Sequence, residues 1–202
     1  MGAGPLEEVG PLIDAPRPPA IRAFFGLPLP EAQRRLMSAH LADCAAGAPG
    51  FRWVEPAGLH LTLRFIGRVD PAVALQIGER LVARRLSTLR LELGERGTFG
   101  RGRMVRVVWA GLRSGEKDAT RLATQVEAEC AAAGLAPETR PFAPHLTLGR
   151  ARQRDGAVLP ELPPIPSLEA WTADELVLYR SHLGSAGARY EPLVRVRLAP
   201  SG

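Results

Sequence analysis

The chain has 202 residues, 46% of them apolar, enough to bury a sizeable core as one large domain or two small ones. No run of 18 or more apolar residues occurs, which argues against a membrane-spanning helix. The formal charge is +5, and only Lys117 among the 26 basic residues is a lysine. The arginines are dispersed, so they fit either a polyanionic partner or a chain-wide preference for Arg, Ala, Gly and Pro.

The opening "MGAGPLEEVGPLIDAPRPPA" has neither a basic start nor an apolar stretch of secretory type, and its Pro and Gly predict a flexible tail over residues 1–19. A cytoplasmic location is the default expectation. "AIRAFFGL" (20–27) reads as a strand. Pro30 suits the first turn of the helix that follows, with Gln33, Met37, Leu41 and Cys44 on one stripe. "GLHLTLRF" (58–65) is the next strand, followed by a helix striped by Val73, Ile77 and Leu81 and the strand "TLRLELG". "RMVRVVWAGL" (103–112) begins a second series. A helix carries Leu122, Val126 and Cys130 and stops at Gly134, and "APHLTLGR" (143–150) follows. A Pro-rich loop leads to "DELVLYRS" and "RYEPLVRVRL", both strands. Strands outnumber helices without regular alternation, which predicts an α+β fold of two similar lobes in one body over residues 20–198.

The two series are a repeat. The HLTL motifs lie 145 − 60 = 85 residues apart. At that offset Pro56 falls on Pro141, Gly26-Leu27 on Gly111-Leu112, and Met37 and Leu41 on Leu122 and Val126. An internal duplication of one supersecondary unit accounts for the pattern.

Alternation along a strand sets Leu59, Leu61, Leu63 and Phe65 on one face and His60 with Thr62 on the other. In the second copy Leu146 and Leu148 face inward, opposite His145 and Thr147. A lone His-x-Thr is most simply a half-exposed strand with Thr chosen for its β propensity. Two copies in register across a diverged duplication point to chemistry. Histidine titrates near neutrality, so one ring can accept a proton while the other donates one. The threonines add donors for an anion. Phosphate ester cleavage needs these parts. No carboxylate or cysteine cluster has ligand spacing, so no metal or other cofactor is expected, and Cys44 and Cys130 read as buried free thiols.

Together with "IRAFFGLPLP" and "LVLYRSHLGSAGARYEPL", the paired motifs resemble the two-histidine (2H) phosphoesterases, most nearly the RNA 2′,3′-cyclic phosphodiesterases also called 2′-5′ RNA ligases (LigT or ThpR). The resemblance implies a bilobal fold, two pseudo-symmetric antiparallel sheets with flanking helices around a central cleft. It implies metal-independent opening of a terminal RNA 2′,3′-cyclic phosphate to a 2′-phosphate, with 2′-5′ RNA ligation in some members. It makes His60 the proton donor to the leaving 3′ oxygen, His145 the base that activates water, and Thr62 and Thr147 phosphate ligands. Arg150 matches a basic position near the phosphate, although strict alternation turns it away from His145. Arg140 fits either a phosphate contact or a pair with a nearby acid, and Phe142 either a base platform or a core aromatic. His40 and His182 lack counterparts in the repeat and are expected on the surface. The expected partner is an RNA 3′ end bearing a cyclic phosphate, bound by a monomer. The competing readings are an RNA-binding module without turnover and a 2H enzyme acting on a small cyclic nucleotide or an ADP-ribose cyclic phosphate.

Overall fold

A computed structural model describes residues 18–184 and 187–200, so the tail expected over 1–19 lies outside the described residues up to residue 17. The first unit runs β1 (Ile21–Pro28), α1 (Glu31–Gly47), β2 (Phe51–Trp53), a short 3₁₀ turn (Pro56–Gly58) and β3 (His60–Val69). It ends with α2 (Pro71–Val82) and β4 (Leu89–Arg101). The second runs β5 (Met104–Ser114), α3 (Glu116–Ala132), β6 (His145–Ala151), β7 (Ala157–Val158), β8 (Trp171–Ala173), β9 (Glu175–Gly184) and β10 (Gly187–Arg197). The strands β2, β7 and β8 escape sequence reading because two or three residues are too few to show alternation.

The helices form for the reasons their stripes suggest. Met37, Leu41 and Cys44 are buried on α1, and Leu122, Val126 and Cys130 on α3. His40 is a correction. It lies on the buried stripe of α1, only 6% exposed, with Nε2 3.5 Å from the Cys44 sulfur. Asp70 caps α2 by accepting from the Ala72 N–H at 2.9 Å, and Pro71 fills the first helical position. Gly78 lets α2 close on β10. A Cβ there would stand 2.9 Å from the Val194 side chain. Gly134, at φ +80°, ends α3 as its type allows.

The strands pair in the order β10-β9-β1-β3-β6-β5-β4-β8, with β2 added on β6 and β7 on β5. The two antiparallel sheets implied by the resemblance are thus joined into one curled sheet. Its halves meet at a single pair, Leu61 opposite Leu146. These residues are repeat counterparts, since 146 − 61 = 85, so a local two-fold passes between them. The repeat units do not coincide with the halves. The first unit's β4 pairs with β5 of the second, and the second unit's β9 pairs with β1 of the first. Each unit closes the open edge that the other leaves, which removes exposed backbone donors and acceptors from the middle of the sheet. Buried side chains from both halves form one core cluster, Leu61 and Leu146 among them. Truncating either of these leucines to Ala would cost about 2–5 kcal/mol at the seam between the halves.

Both HLTL strands carry a bulge at the same repeat position. β1–β3 pairing passes from Thr62 to Arg64 and leaves Leu63 unpaired, and β5–β6 pairing passes from Thr147 to Gly149 and leaves Leu148 unpaired. A bulge resets which residues face inward. Arg64 is therefore buried and Phe65 is 48% exposed, the reverse of strict alternation. Arg64 reaches α3, where it pairs with Glu127, and it donates to the carbonyls of Phe65 and Ala136.

Candidate active site

The Leu61–Leu146 register, extended by one residue each way, sets His60 across from Thr147 and His145 across from Thr62. All four lie on the face away from the buried leucines and are half-buried. The pseudo-two-fold thus brings the paired motifs together.

The rings are held alike. The Nδ1 of His60 bonds the Gly58 carbonyl at 2.8 Å, and that of His145 bonds the Ala143 carbonyl at 2.7 Å. A carbonyl only accepts, so Nδ1–H donates in both rings and Nε2 is left for proton exchange. Gly58 and Ala143 are themselves repeat counterparts. Phe24 stacks on His60 with centroids 4.6 Å apart, and Tyr190 meets it edge-on at 4.9 Å. Around His145, Phe99 packs edge-on at 5.2 Å and Trp109 lies tilted at 5.9 Å.

These surroundings shift the rings toward their neutral forms. Burial pushes the His60 pKa down to about 4. The Gly58 carbonyl opposes this, and the charges of Arg150 and His145 add to it. Burial also lowers His145, opposed by the Ala143 carbonyl and assisted by Arg150. No carboxylate acts on either ring. Among the described residues no cluster of three or more His, Cys, Asp or Glu is placed to hold a metal.

Arg150 belongs to this site. Its charge reaches both histidines and Tyr190, because the bulge at Leu148 turns it toward the histidine face that alternation denied it. Phe65, its repeat counterpart, is turned outward by the matching bulge, with its ring 5.7 Å from that of Phe24. The other two sequence candidates fall elsewhere. Arg140 is exposed and pairs with Glu138 at 3.5 Å, the acid-pairing alternative. Phe142 is partly buried against the core cluster, the core alternative. His182 is exposed and bonds Glu191 at 2.7 Å. Sequence reading missed the aromatic surroundings. Phe24 and Trp109 were within reach, being aromatic at the repeat offset of 85, whereas Phe99 and Tyr190 have no aromatic counterpart at that offset.

A profile of the 2′-5′ RNA ligase superfamily matches residues 28–185. The chain belongs to that superfamily. An Aeropyrum pernix relative named RNA 2′,3′-cyclic phosphodiesterase is 36% identical over 170 residues, covering 81% of this chain and 96% of the relative. The crystal structure of Escherichia coli LigT in apo form superposes with a TM-score of 0.75 at 29% identity, over 90% of this chain and 99% of that one. The complex of E. coli LigT with 3′-AMP gives 0.73 at 28% identity, over 89% and 98%. Like the superfamily matches, the α+β fold spans most of the described chain.

Proposed function

We propose that the chain hydrolyses the terminal 2′,3′-cyclic phosphodiester of RNA to a 2′-phosphomonoester. The observation that carries this reading is the pair of histidines set across a two-fold on one sheet face, each with Nδ1 tied to a carbonyl and Nε2 free. The names of the relatives support the substrate class.

In this reading the cyclic phosphate sits between the rings, with Thr62, Thr147 and Arg150 around its oxygens. Neutral His145 takes a proton from water through Nε2 as the water oxygen bonds to phosphorus. The bond from phosphorus to the 3′ oxygen breaks, and protonated His60 gives that oxygen its proton. The product keeps phosphate on the 2′ oxygen. With no substrate His60 is neutral at pH 7, so the phosphate anion must raise its pKa for it to serve as donor. The fixed cation Arg150 stabilises charge that builds on the phosphate in the transition state. The same steps with a 5′ hydroxyl in place of water would join a 2′-5′ linkage, and their reversal would cleave one. The reading extends to a cytoplasmic monomer, and sedimentation at the 21.7 kDa chain mass tests its oligomeric part.

The test is to incubate the protein with a cyclic-phosphate oligonucleotide in excess EDTA and to locate the product phosphate by phosphorus NMR. A 2′-monoester is expected. A 3′-monoester would overturn the leaving-group assignment, and absence of turnover would overturn the reading.

A further inference from the structure

Cross-strand registers line up a row of residues on the histidine face. Arg52 on β2 stands opposite Arg150 on β6, Arg150 opposite Val107 on β5, and Val107 opposite Phe99 on β4. Directly opposed residues of antiparallel strands share a face, and neighbouring strands are about 4.8 Å apart. Phe99 packs against His145, so the whole row belongs to the site's face. The row has a polarity, with two guanidinia at one end and Val107 and an exposed phenyl ring at the other.

Arg52 is exposed, and its Cδ lies 3.6 Å from where a Cβ would stand on Gly187, in the β9–β10 hairpin of the opposite half. Its side chain therefore reaches from β2 to the start of β10 in the other half. Arg150 lies on β6 with His145, whereas Arg52 lies on β2, one strand removed, so Arg52 is the outer cation. Among the described residues neither arginine forms an ion pair, whereas Arg35, Arg64, Arg84 and Arg113 each have a carboxylate.

A cyclic mononucleotide has one anion, and the histidines, threonines and Arg150 already surround it. An RNA end has a second, the 3′-5′ phosphodiester that ties the terminal nucleotide to its neighbour. We propose that Arg52 binds this second phosphate, so that the site takes the last two nucleotides of an RNA and discriminates against a free cyclic mononucleotide. The inference rests on the cyclic phosphodiesterase reading. The backbone leaves toward β2, where the cations stand, and the apolar end of the row is left to sugar and base.

The experiment compares three substrates in wild type, Arg52→Gln and Arg52→Lys. They are a dinucleotide with a terminal 2′,3′-cyclic phosphate, the same dinucleotide with an uncharged methylphosphonate at the internal linkage, and a 2′,3′-cyclic mononucleotide. The wild type should prefer the charged dinucleotide. In Arg52→Gln that preference should fall about five- to tenfold, through KM, and the salt slope for the dinucleotide should shrink by about 0.7. Arg52→Lys should keep most of the preference. The methylphosphonate should cost the wild type as much as the substitution does and cost Arg52→Gln nothing further, because both changes delete one contact. A loss shared equally by dinucleotide and mononucleotide, an unchanged preference, or full methylphosphonate sensitivity in Arg52→Gln would overturn the proposal. If the wild type turned over none of the three, the phosphodiesterase reading would fall and the proposal with it.

Discussion

Replacing Arg150 with methionine should move the pH dependence of cyclic-phosphate hydrolysis upward. The guanidinium lowers the pKa of both His60 and His145. Methionine keeps most of the stem and removes the charge, so both rings should bind a proton more readily. The wild-type baseline follows from the same surroundings. A ring with its pKa at about 4 is protonated in about one molecule in a thousand at pH 7. The proposed mechanism needs one charged and one neutral ring, and both pKa values lie below the ordinary 6.5. The free enzyme is therefore mostly doubly neutral at pH 7. Its kcat/KM should climb as the medium is acidified, by up to tenfold per pH unit, until the second ring charges and the rate falls. The bell should be centred below 6.5, and its limbs belong to the pair, whichever ring is the acid. The assay is kcat/KM for a 2′,3′-cyclic mononucleotide from about pH 4 to 9 at constant ionic strength, since salt screens the arginine. Arg150→Met should be slower at its own optimum, having lost the proposed phosphate contact, and that optimum should lie at higher pH. Limbs that stay in place or move to lower pH in the variant would refute the electrostatic argument. So would a wild-type bell centred above 6.5.

Alanine at either His60 or His145 should cut kcat by about 10²–10⁴-fold with the melting temperature nearly kept, and the double variant should lose less than the product of the two. A substrate with a better 3′ leaving group should rescue His60→Ala more than His145→Ala, and the opposite pattern would exchange the two roles. Because folding lowers the His60 pKa, its contribution to stability is full above the unfolded value of 6.5. It is lost as the pH falls from there toward about 4, at up to about 1.4 kcal/mol per unit. Melting curves of His60→Asn should show a weaker acid dependence than the wild type over that range. Arg64→Met leaves the Glu127 carboxylate and the Phe65 and Ala136 carbonyls without their donor. One-sided loss of a buried pair costs about 3–5 kcal/mol, reduced here to about 2–4 because the Glu127 side chain keeps 29% exposure; an unmoved denaturation midpoint would show the pair to be unimportant. Activity should survive excess EDTA, and its loss with recovery on added metal would contradict acid–base chemistry by the histidines alone.

The sequence by itself determined the repeat, the three helices, the long strands and the face on which each His-x-Thr stands. All of these rest on local periodicity, which a chain carries in its own side chains. Gly134 stops α3 through a positive φ, a backbone property that is also local. The tertiary structure decided what depends on a partner. The bulges at Leu63 and Leu148 exist only in the register with β1 and β5, and they turned Phe65 outward and Arg150 toward the histidines against the alternation rule. The exchange of β4 and β9 between the units follows from which open edge each strand could close, and a single strand does not encode that. The meeting of His60 and His145 hangs on one pair, Leu61 with Leu146, whose sequence separation of 85 gives no hint of contact. The pKa of His60 is set mainly by burial among rings from β1, β9 and β10, because desolvation is a property of packed volume and appears only when distant segments have closed around the ring.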